Sequence, residues 1–84
     1  MTAPTIHSNG TAKQDLMDGL LKAHDAVGAA LKLVAATMPN GRDYYTQGDW
    51  AFKAATDEHT ARVLKLSQVK NELMAMAIHI DGGG

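Results

Sequence analysis

Residues 40 to 50, NGRDYYTQGDW, hold both tyrosines and the single tryptophan of the chain. Arg42 carries a planar fork of N–H donors that matches a phosphate or a carboxylate. Tyr44, Tyr45 and Trp50 carry flat faces with a polar tip, suited to stacking a base or another ring. Asp43 and Gln47 can pair with the donor and acceptor edges of a base or with ribose hydroxyls. Together these are the parts of a pocket for a nucleotide-like ligand. A plainer account also exists. PNG and QGD are turn chemistry, Tyr44 and Trp50 plug the open end of a helical bundle, and Arg42 pairs with Asp43 or a helix terminus.

A second stretch, SNGT at residues 8 to 11, offers anion chemistry. Asn9, Gly10 and Thr11 can present successive backbone amides as a nest, supported by the positive end of a helix dipole and by Lys13. A turn followed by a helix start explains the same residues without a ligand.

Other chemistry finds little material. The serines are only Ser8 and Ser67 and the glutamates only Glu58 and Glu72, so neither a nucleophile with its base nor a carboxylate pair can be assembled. The expectation is no enzyme, no catalytic residues and no cofactor. Cysteine is absent, and the residues three before His24, His59 and His79 are Leu21, Thr56 and Met76, so no Glu-x-x-His ligand pair exists and no metal site is expected. His24 and His59 are read as satisfied or partly exposed packing groups, with Asp25 and Glu58 pointing about 100° away from them.

The elements that must position these groups are helical. Thr11 reads as an N-cap with Gln14 completing a capping box. From Met17 through Leu20, His24, Val27, Leu31, Val34 and Met38 the spacings are 3, 4, 3, 4, 3 and 4, a heptad seam. Pro39 and Asn40-Gly41 end that helix. Asp49 reads as the N-cap of a second helix, whose apolar positions include Phe52, Val63, Leu66, Val69, Leu73, Met76 and Ile80. The predicted organisation of the single 1–84 domain is an extended arm over 1–10, a helix over 12–38, a loop over 39–48, a helix over 49–80 and a flexible tail over 81–84.

The fold class predicted is all-α, an antiparallel two-helix hairpin. At 84 residues a lone chain hides only about 60% of its unfolded surface, so help from dimerisation into a four-helix bundle, or from a higher oligomer, is expected. The small residues Gly19, Ala23, Ala26, Gly28, Ala29, Ala30, Ala35 and Ala36 favour close helix approach. In such a hairpin the SNGT turn and the aromatic loop lie roughly 40 Å apart in one chain. An antiparallel partner brings the arm of one subunit to the loop of the other, and the two form a composite ligand site.

Formal net charge is −1, from eight Lys+Arg and nine Asp+Glu, which excludes a broad footprint for duplex nucleic acid. No apolar run approaches the roughly 20 residues of a membrane span. No basic stretch leads into an apolar segment near the start, so the expected location is cytoplasmic.

TIHSNGT near the start and NGRDYYTQG in the middle, in the order arm, helix, RDYYxQG loop, helix, resemble small helical proteins encoded by phages and prophages. The resemblance covers nearly the whole chain and transfers no activity of its own. It implies a phage context, with the host cytoplasm as location. In that context the residues suit a non-enzymatic anti-defence sponge. Such a sponge sequesters a cyclic nucleotide or cyclic ADP-ribose-type immune signal in an intersubunit pocket. The other reading is a protein-binding module, a phage inhibitor of a host protein or an assembly factor, with the loop aromatics as interface anchors. Secreted WxG-type hairpins are set aside, because Trp50 is followed by Ala51 and Phe52.

Overall fold

The computed structural model describes residues 2–4 and 10–82. Among these residues there are two α-helices and no strand. Helix α1 spans Gly10–Ala35, helix α2 spans Asp49–Asp81, and a short 3-10 turn at Gly41–Asp43 lies between them. The molecule is a rod of 61 × 19 × 13 Å. None of the described helices is long and apolar enough to cross a membrane.

The helices lie side by side and run in opposite senses. Met17 and Leu21 share a hollow with Met74, Ala77 and Ile78, and Gly28 lies beneath the side chain of Lys70. The heptad residues Leu20, Val27, Leu31 and Val34 of α1, and Val63, Leu66 and Leu73 of α2, are half-buried. Among the described residues only Ala51, His59, Ala77 and Ile80 are fully buried. A pair of helices covers one stripe on each, and the flanks of both stripes stay wet.

The helix ends depart from expectation for local reasons. α1 begins at Gly10, so Thr11 lies inside it rather than capping it. Gln14 does not reach back; its side-chain amide donates to Asp18 Oδ1 at 3.0 Å, one turn onward. The helix closes at Ala35 rather than Met38. There the Thr37 amide donates to the Val34 carbonyl at 3.0 Å and the Thr37 hydroxyl to the same oxygen at 2.6 Å, tightening the last turn. At α2 the cap is Gly48, with no side-chain cap bond, and Asp49 is the first helical residue. Asp81, expected in the tail, closes α2, and residues 83–84 lie outside the described residues.

The two inner glycines differ. A Cβ on Gly28 would lie 3.3 Å from Lys70 Cε, so the lysine stem crosses the seam there because no side chain stands in the way. On Gly19 a Cβ would meet nothing within 4 Å.

His59 breaks the expectation for seam histidines. It is 4% exposed, and its Nδ1 is buried without a hydrogen-bond partner. An unpaired buried polar atom costs about 1–3 kcal/mol. Replacing His59 with leucine removes that atom and keeps most of the volume. His59→Leu is expected to raise Tm by roughly 4–8 °C for each kcal/mol recovered, read by circular dichroism melting.

Candidate functional site

Backbone bonds shape the connection between the helices. The Asn40 side-chain oxygen accepts from the Arg42 amide at 2.9 Å, and its carbonyl accepts from the Asp43 amide at 2.9 Å. The Tyr44 amide then donates to the Gly41 carbonyl at 3.0 Å, and the Gln47 amide to the Tyr44 carbonyl at 2.9 Å. These successive turns carry Tyr44 back onto α2. Its ring centroid lies 6.2 Å from that of Phe52, the planes tilted by 44°. Gly48 follows with φ 100° and ψ 161°, a region open essentially to glycine alone. The bend it makes aims the chain into α2, whose first turn closes with the Ala51 amide on the Gly48 carbonyl at 3.2 Å.

The result is a cleft of about 320 Å³ lined by Gly41, Tyr44, Tyr45, Gly48, Asp49 and Phe52. Its volume falls at the lower end of small-molecule sites. Three aromatic residues wall it, one of them nearly bare, since Tyr45 is 78% exposed. Two glycines and Asp49 complete the lining.

The residues singled out from the sequence divide into three groups. Tyr44 and Tyr45 line the cleft, while Arg42, Asp43 and Gln47 on the same connection and Trp50 in the first turn of α2 are exposed, outside its walls. The ion pairs among the described residues are His24–Asp25 and Lys53–Asp57, so the Arg42–Asp43 pairing of the plainer account is not formed. Of the two rings that the plainer account uses as a plug, Tyr44 is half-buried and Trp50 is 72% exposed.

At the arm, Asn9 lies outside the described residues, Gly10 and Thr11 open α1, and Lys13 is half-buried in its first turn. That end of the rod is where Met17 meets Met74 and Ile78, opposite the aromatic connection. One chain does not bring the two stretches together.

Sequence reasoning missed Phe52 and Asp49 as cleft residues. Phe52 shares the phase of the apolar positions of α2 and was assigned to the seam; only the path of the turns reveals that it meets Tyr44. Also missed was a larger hollow of about 520 Å³ midway along the helices, bordered by His24, Gly28, Lys32 and Lys70 among others. There the Asp25 carboxylate does reach its neighbour, at 3.1 Å from His24 Nδ1. No group of three or more metal-ligating side chains occurs among the described residues. No family model, no curated protein and no solved structure matches the chain.

The cleft depends on Gly48. A Cβ there would lie 3.2 Å from Trp50 Cδ1 in addition to the backbone strain. Gly48→Ala is expected to cost about 1–3 kcal/mol in urea unfolding. Gly41→Ala, whose Cβ would sit at an ordinary 3.9 Å from Phe52, is the near-neutral control.

Proposed function

We propose that the protein is a non-enzymatic, homo-oligomeric binder of a flat, phosphate-bearing small molecule of the nucleotide class, held in the cleft at the α1–α2 connection. The observation that carries this reading is the cleft itself, about 320 Å³ of open space walled by Tyr44, Tyr45 and Phe52. Tyr45 presents a ring face with little protein cover, and stacking on such a face contributes about 1–3 kcal/mol per base. Arg42 stands on the preceding turn, exposed and outside every ion pair among the described residues, so its guanidinium is free to meet a phosphate at the cleft mouth.

Two hairpins pairing into a four-helix bundle, or a higher oligomer, complete the assembly. The amino-terminal turn of one subunit, Asn9 to Lys13, supplies anion-binding amides to the cleft of another. In the phage setting implied by SNGT and RDYYxQG, such a binder acts as an anti-defence sponge in the host cytoplasm. Its ligand is a cyclic nucleotide or a cyclic ADP-ribose-type signal, sequestered without conversion.

A protein-binding module is the second reading. Trp50 and Tyr45 favour it, since both rings stand largely in solvent at one end of the hairpin, as interface anchors do before a partner arrives.

Thermal shift against cyclic di- and trinucleotides, ADP-ribose and cyclic ADP-ribose isomers separates the two. A true ligand at 100 times its Kd adds about 2.7 kcal/mol of stability. Tyr44→Ala and Tyr45→Ala are each expected to remove about 1–3 kcal/mol of that affinity. Arg42→Ala should weaken phosphate-bearing ligands selectively, and chromatography should recover the ligand unchanged. A panel in which nothing shifts Tm refutes the sponge and leaves the protein-binding module.

A further inference from the structure

The single chain exposes more surface than a compact molecule of its mass. Its solvent-accessible area is 6021 Å², whereas a monomer of 8.9 kDa is expected to expose roughly 4,800 Å². The excess, on the order of 1,200 Å², is more than the about 800 Å² that each partner of a stable dimer covers.

Helix α1 shows where cover would fall. Beside the line that faces α2 runs a second line, Leu16, Gly19, Ala23, Ala26, Ala30 and Leu33, at spacings of 3, 4, 3, 4 and 3. At about 100° per residue it lies roughly 90° around the helix from Leu20, Val27 and Leu31. A helix in a four-helix bundle needs two such lines, one for each neighbour. Within this chain most of the second line is uncovered, with Leu16 and Ala23 half-buried. Gly19, Ala26 and Ala30 are exposed, Leu33 is 73% exposed, and the space beside Gly19 is open. The fold of the hairpin therefore gives no reason for a glycine at 19, which costs about 1 kcal/mol of helix propensity relative to alanine.

The line also has the same pattern read in either direction. Leucines end it, small residues fill it, and its midpoint falls between Ala23 and Ala26. An antiparallel second copy about a two-fold axis at that midpoint sets Leu16 of one copy against Leu33 of the other, Gly19 against Ala30, and Ala23 against Ala26. Each pairing then occurs twice, as an isologous interface requires. Charges on the flank agree. The register sets Lys22 of one copy level with Val27 of the other and Asp15 near Ala36, so no like charges meet across the line.

We propose that this face of α1 is a dimer interface and that its occupant is a second copy of this chain, packed antiparallel, α1 upon α1. The same register sets Gly10 of one copy level with Pro39 of the other and Lys13 level with Ala36. The amino-terminal turn is thereby delivered to the partner's aromatic connection. That last consequence rests on the ligand reading above; the interface does not.

Sedimentation equilibrium of the full chain is the test. The wild-type chain is expected at twice 8.9 kDa. Ala26→Glu, at the middle of the line, should weaken association by roughly 100-fold or more, as an unpaired charge in an apolar contact does, with helicity retained by circular dichroism. Leu64→Glu, on an exposed position about half a turn around α2 from its seam, should leave the dimer intact. Because Ala23 faces Ala26 across the axis, Ala23→Lys chains mixed with Ala26→Glu chains should re-form a dimer, even if either variant alone is poorly folded. A monomeric wild-type chain overturns both this interface and the composite ligand chamber. A dimer that survives Ala26→Glu, or a mixture that gains no dimer, overturns this face alone and leaves the ligand reading to its thermal-shift result.

Discussion

Two helices touch along one line, and a chain made only of two helices must hold itself together with whatever that line can bury. Most other features of the molecule follow from this shortage. Full burial is reached at four described positions, two near the connection and two near the far end of α2. Between them the seam is half-open, and it is a lysine, not an apolar residue, that crosses it at Gly28. Lys70 can do so because its aliphatic stem covers apolar surface while the ammonium stays in water. His59 shows the same shortage from the other side. Its imidazole is taken into the seam without a partner for Nδ1, a cost accepted where few side chains are available to fill space.

The connection obeys a different logic. It is held by its own backbone and by the Asn40 side chain, through contacts no more than a few residues apart in sequence. Among the described residues, Tyr44 against Phe52 is the one ring contact that ties it to a helix. A segment organised this locally keeps its shape without a large core beneath it, and it can therefore leave Tyr45 in solvent. This is the common division of labour between a scaffold and the loop it displays.

The helices were legible because a 3/4 spacing of apolar residues has a single physical meaning. Their ends were less so. Nothing in the spacing says that the Thr37 hydroxyl will compete for the Val34 carbonyl and close α1 at Ala35, since Val34 and Met38 both fit the heptad. The choice between Gly48 and Asp49 as cap turned on one backbone angle, and a sequence shows only that glycine permits it. Among the site residues, the aromatic content of the loop could be read directly. Which ring turns inward could not, because adjacent loop residues follow no period; the bonds from Tyr44 to Gly41 and from Gln47 to Tyr44 decide it. Phe52 was misassigned for the opposite reason. It obeys the helical period so well that its second contact, with the loop, left no trace in the pattern.

The crossing of Lys70 over Gly28 has a mechanical side. Heptad seams are periodic, so one helix could in principle slide along the other by two turns and find apolar residues opposite apolar residues again. In this molecule such a slip would bring the lysine stem against Leu21 or Ala35, each with a Cβ where Gly28 has none. The notch and its stem act as a key in a slot: Gly28 leaves the lysine stem a space that neither neighbour two turns away offers, and the observed alignment of the rod is the one that keeps the two together.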